Sequence, residues 1–105
     1  MGGIQTDKYL LGVQPGTQRI TTNSVVVGTG ATLIAAARVD RRRILISVPS
    51  GGLDVFVGDA NVTTSNGLRA FAGQRLTLET TDAVYGRVTS ATVTVACLEE
   101  YGYTI

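Results

Sequence analysis

The chain has no histidine, no tryptophan, one cysteine, one lysine and two prolines among its 105 residues. Without imidazole it lacks the commonest general base and the commonest metal ligand. Cys97 alone makes neither an intrachain disulfide nor a thiolate zinc cluster. Nucleophilic catalysis would then need a lysine base, and Lys8 is the sole lysine. Charge is scarce too: charged residues make up 16% of the chain and balance to a net +1, where soluble domains carry about 25%. A protein that coats nucleic acid needs a basic excess, which this chain does not have. No apolar run reaches the roughly 18 residues of a membrane-spanning helix. The polar stretch after Gly2-Gly3 does not read as a signal peptide. No glycine-rich turn leads from a strand into a helix, so a phosphate loop is not expected either.

What is abundant points to strands. Thr, Val and Ile together supply 34 of the 105 residues, and β-branched side chains favour a pleated surface over a helix. Thirteen glycines against two prolines predict many tight turns. A chain this long forms one domain, burying roughly 65% of the surface it would otherwise expose. Mean hydropathy is positive. A small, weakly charged, β-rich chain of this kind suits a protein that hides surface in an assembly; an ordinary β-domain with a sparsely charged surface is the plainer alternative.

Residues 1–20 show neither helical nor strand periodicity, because Gly2-Gly3, Gly12 and Pro15-Gly16 interrupt every run. They read as an extended arm whose Ile4, Tyr9, Leu10, Leu11 and Val13 are too apolar for a solvated tail. Docking on a neighbour or on the chain's own core is the expectation for them. From residue 21 to 105 the sequence alternates with period two and predicts strands at Thr22–Val27, Thr32–Ala37, Arg42–Val48, Leu53–Val57, Leu68–Phe71, Arg75–Glu79, Ala83–Val88 and Ala91–Glu100. The second of these has faint helical character in its three alanines, but its length and neighbours favour a strand. Leu76, Leu78, Val93 and Val95 are expected in the core, with Thr77 and Thr94 on the opposite face. Cys97 falls on the inward side and is expected to be an inert core residue. Gly28-Thr29-Gly30 separates the first two strands. Ser50-Gly51-Gly52 and Thr89-Ser90 are expected to close hairpins, and Asn66-Gly67 to supply positive φ. Eight short strands without a helix predict an all-β fold: a single β-sandwich or jelly-roll-like domain with an extended N-terminal arm.

Three groups of residues could carry chemistry. Asp59 and Asn61 beside Thr63, Thr64 and Ser65 offer oxygens to a hard cation, yet the single carboxylate, even aided by Asp54, is a thin supply. The same residues make Asx and Ser/Thr turns. Glu99 and Glu100, adjacent in a strand, point to opposite faces and cannot act on one substrate. No catalytic residue, metal ligand or cofactor is expected. Arg38-Val-Asp-Arg-Arg-Arg43 is the one dense charge cluster. It admits a solvated strand edge, docking to an acidic protein surface, or a nucleic-acid contact; the last lacks interleaved aromatics. Arg41, Arg42 and Arg43 are the candidate docking residues, with Arg38 supporting its own loop.

Taken in order, Arg42-Arg-Ile-Leu-Ile46, Asp54-Val-Phe-Val-Gly58, Val62-Thr-Thr-Ser-Asn-Gly67, Ala72-Gly73, Thr80-Thr-Asp-Ala-Val-Tyr85 and Val93–Glu99 resemble a family of small virion structural proteins of tailed bacteriophages. These are β-sandwich modules of heads and of head- or tail-associated fibres. The resemblance covers residues 41–100. It departs at Leu68-Arg-Ala-Phe-Ala72, where a proline-containing loop is more usual. It implies a virion protein made in the host cytoplasm: a capsid decoration or cement protein that clamps capsomer seams, with a head–tail neck or tail-fibre adaptor as the other reading. The implied partners are the major capsid protein or other virion proteins and further copies of the chain in a homo-oligomer. No nucleic acid, membrane or small-molecule substrate is implied. A carbohydrate- or host-binding module would want clustered exposed aromatics, and only Tyr101 with Tyr103 comes close.

Overall fold

The computed structural model describes residues 18–102, which form eight strands and no helix. These are β1 (Gln18–Val27), β2 (Thr32–Ala35), β3 (Arg41–Ser47), β4 (Val55–Gly58), β5 (Leu68–Ala70), β6 (Arg75–Leu78), β7 (Val84–Arg87) and β8 (Val93–Gly102). Two four-stranded sheets, ordered β1-β8-β3-β6 and β2-β7-β4-β5, are antiparallel throughout. Only β4 and β5 are both consecutive and paired; every other connection carries the chain across to the opposite sheet. This is a β-sandwich with jelly-roll strand order.

All eight expected strands are present, with shifted ends. β1 starts at Gln18, so residues 18–20 belong to the sheet through Gln18↔Gly102, Arg19↔Tyr101 and Ile20↔Glu100 rather than to an arm. The arm residues Ile4, Tyr9, Leu10, Leu11 and Val13 lie outside the described residues. β4 starts at Val55, paired with Ala70; just before it, Asp54 Oδ1 accepts from the Ala72 amide and Oδ2 from Arg69.

The two expected hairpins are corrected. The Ser50-Gly51-Gly52 turn, with Gly51 at φ +78°, joins β3 to β4 in the other sheet, and Thr89-Ser90 leads from β7 across to β8. Turn residues encode a chain reversal, not the strand it returns to. The left-handed residue of the second turn is Ala91, at φ +57°. Gly67 is not among the positive-φ residues. A Cβ there would sit 2.8 Å from both Phe56 Cβ and Val62 Cγ2 and 3.0 Å from the Thr63 carbonyl, so glycine is required for space.

The core is aliphatic. Val27, Ile44, Ile46, Val48, Val55, Val62, Val88 and Val95 are its fully buried side chains, each worth about 1.5–3 kcal/mol of burial. Val93 and Cys97 are buried as expected, whereas Leu76 and Leu78 of edge strand β6 are only half-buried against it. Thr77 and Thr94 are exposed, which fixes the register.

Candidate protein interface and the arginine network

Simple alternation back from Ser47, Leu45 and Arg43 would put Arg41 on the outer face. A β-bulge between Arg41 and Arg43, opposite Tyr101 and Glu100, turns it inward. The Arg41 side chain is 0% exposed. Its Nε donates to Glu99 Oε1 at 3.0 Å, and one terminal nitrogen donates to the carbonyls of Thr80 (2.9 Å) and Asp82 (2.8 Å). The other donates to the Ala36 carbonyl. One guanidinium thus ties the β2–β3 connection, the β6–β7 loop and β8 together, its planar fork matching acceptors from three directions. This corrects Arg41 as a docking residue: its charge is neutralised inside the domain.

Arg38 supports its own region as expected. Its Nε donates to the same Glu99 oxygen at 3.3 Å, its guanidinium stacks 4.0 Å over the Tyr101 ring, and its amide donates to the Thr81 carbonyl. Arg43 pairs with Glu100 at 3.0 Å on the outer surface, where both side chains are partly exposed. Arg42 is exposed at the bulge. Glu99 and Glu100 do face opposite sides, the first holding the buried arginine and the second the surface one. Cys97, two residues before Glu99, is buried. Burial, then the Glu99 charge, push its thiol up to about 11, against a smaller opposing pull from Arg41.

The loop from Asp59 to Gly67 follows the turn reading. Asp59 Oδ1 accepts from the Asn61 amide, Asn66 Oδ1 from the Thr63 amide, and Thr63 Oγ1 from the amides of Ser65 and Asn66. Among the described residues no three or more Cys, Asp or Glu side chains gather as metal ligands.

The remaining surface feature is a sheet face that the other described residues leave uncovered. Pairing across β1, β8, β3 and β6 lines up Thr22, Leu98, Leu45 and Thr77 in one outward row, and Ser24, Ala96, Ser47 and Arg75 in the next. The short side chains of the second row leave a shallow trough of about 710 Å³ beside the leucines. Ile20 and Val26 extend this apolar, hydroxyl-dotted face along β1, exposed by 64% and 58%. Its charges stand at the margins: the Arg43–Glu100 pair at one end and Arg75 on β6. On the other sheet, Arg69 is held by Asp54 (2.7 and 2.9 Å) and lies over Phe56 and Phe71. Leu68–Ala70 of that sheet form the three-residue edge strand β5. The face was implicit in the alternation of Leu45, Ser47, Thr94, Ala96 and Leu98; the arginine network was not, because a bulge leaves no periodic trace.

No family model matches the chain, and no curated protein sequence does. Among solved structures, the chain is similar to a Bacillus endospore appendage protein from a family described as disulfide-linked pili. That protein is 17% identical, with a TM-score of 0.53 over 83% of this chain and 88% of that one; the likeness is one of fold.

Proposed function

We propose that the chain is a structural subunit of a virion, a capsid decoration protein that docks on the outer shell and reinforces capsomer seams. The carrying observation is the uncovered face of the β1-β8-β3-β6 sheet: broad, flat, apolar and hydroxyl-bearing, with charge only at its margins. Such a face suits a protein surface better than a small substrate, which is usually held in a deeper, enclosing pocket. Described arginines and carboxylates are paired within the domain at Arg38, Arg41 and Arg69, which fits a scaffold rather than a reaction centre. Each copy would bury modest apolar area on the shell, and repetition over many sites would favour the assembled particle by mass action. Arg42 and Arg43 stand at the rim of this surface, where charge tunes docking weakly.

A head–tail neck or tail-fibre adaptor would use the same face at a different virion site. The fold likeness to an appendage protein favours a further reading, a subunit of a surface filament. Disulfide linkage is not part of that reading, since the sole cysteine is buried. The test is to add the full-length chain to purified particles that lack it and to image them by electron microscopy. Saturable density over the outer shell is expected. Binding confined to the neck or tail would select the adaptor reading, and absence of binding would overturn both.

A further inference from the structure

We propose that edge strand β1 pairs antiparallel with β1 of a second copy, about a two-fold axis at Asn23. The inference stands apart from the virion reading. It begins with the four sheet edges formed by the described residues. β5 has three residues, β6 four beginning with Arg75, and β2 four with a register shift against β7. Short, charged or irregular edges resist further pairing. β1 is ten residues long, contains no proline and carries one charge, Arg19, near its start.

Its backbone is set to pair. The Gly102 amide donates to the Asp40 carbonyl on the β3 side of β8. Backbone groups alternate sides along an antiparallel strand, so Tyr101, Glu99, Cys97, Val95 and Val93 address β1. Their partners Arg19, Thr21, Asn23, Val25 and Val27 are thereby engaged. The N–H and C=O groups of Ile20, Thr22, Ser24 and Val26 point off the sheet. Ser24 agrees: its amide donates to Oδ1 of its neighbour Asn23 at 3.0 Å, the side-chain bond made at that edge among the described residues.

The occupant follows from self-complementarity. With Asn23 opposite Asn23, Ile20 lies opposite Val26 and Thr22 opposite Ser24, each pair occurring twice, as a two-fold interface requires. Those four residues are the ones with outward backbone groups. The two exposed aliphatic side chains of the strand, Ile20 and Val26, then cover one another. On the inner side Thr21 meets Val25. The two Arg19 side chains lie at opposite ends, about 27 Å apart at 3.4 Å per residue, so like charges do not meet. The docked pair is a continuous eight-stranded sheet whose uncovered face runs through the seam.

Sedimentation equilibrium of the full-length chain should show a reversible dimer. Ile20→Lys and Val26→Glu should each weaken it by at least about tenfold, because each sets a charge against an aliphatic side chain. The double variant Ile20→Lys/Val26→Glu should restore dimerisation, the introduced ammonium facing the introduced carboxylate of the other copy. Positions 20 and 26 lie about 20 Å apart along one strand, so the rescue is intermolecular. Both sites are exposed in the monomer, and unchanged thermal unfolding at low concentration verifies that the variants fold. Concentration-dependent protection of the Ile20, Thr22, Ser24 and Val26 amides from hydrogen exchange is the second expected readout. A chain that stays monomeric up to about 1 mM, association indifferent to the single substitutions, or a double variant without rescue would each overturn the proposal.

Discussion

Arg41 and Glu99, brought together by β3–β8 pairing, form the most consequential side-chain contact in the domain. Removing the guanidinium would strand Glu99 with only the partly exposed Arg38 and leave the carbonyls of Ala36, Thr80 and Asp82 without their donor. Arg41→Ala should therefore destabilise the domain by about 3–5 kcal/mol in urea unfolding. Arg41→Lys should recover only part of this, since an ammonium cannot reach acceptors in three directions; full recovery by lysine would show that charge alone matters. Cys97 makes a second prediction at this scale. Its folded thiol is raised from 9.0 to about 11, so the unfolded chain releases the proton first. The stability it contributes is complete below pH 9 and is lost as pH rises from 9 toward 11. Cys97→Ala should flatten that alkaline decline by up to about 2 kcal/mol relative to wild type. Equal slopes for the two proteins would contradict the burial argument.

Strand positions were legible because a two-sheet sandwich imposes period two on every strand. Ile44, Ile46, Val93, Val95 and Cys97 alternate with Leu45, Thr94 and Ala96, and the structure buries the first set. Three things were not legible, for separate physical reasons. The partner of each strand is decided by long-range packing, so glycine turns that look like hairpins become crossings between sheets. The bulge at Arg41–Arg43 reverses one side chain without altering composition. The space around Gly67 is taken by Phe56, Val62 and Thr63, residues that the local sequence does not show to be converging. Depth within an element also matters. Ile46→Ala, in a central strand and fully buried, should cost about 2–5 kcal/mol. Leu78→Ala, half-buried on edge strand β6, should cost about 1–2 kcal/mol. Thr77→Ala should change stability by less than about 0.5 kcal/mol. Denaturant midpoints for the three variants check the order; equal losses at Thr77 and Leu78 would mean that the register is displaced by one residue. Gly67→Ala should cost about 1–3 kcal/mol through overpacking, measured in the same way.

At the scale of the whole molecule, one ion pair, Arg41 with Glu99, is buried, while the outward rows of the β1-β8-β3-β6 sheet are mostly neutral. The buried arginine network locks the loops at one end of the sandwich, while the described residues leave a sheet face and a ten-residue edge strand uncovered. Such a division suits a subunit whose effect comes from repetition rather than turnover. Counting copies tests that claim most directly. Quantitative mass spectrometry of purified virions, with isotope-labelled peptides of this chain and of the major capsid protein as standards, gives the ratio of one to the other. A shell-decorating subunit predicts copies on the order of hundreds per particle. Absence of the chain from purified particles, or a handful of copies that washing removes, would contradict the account.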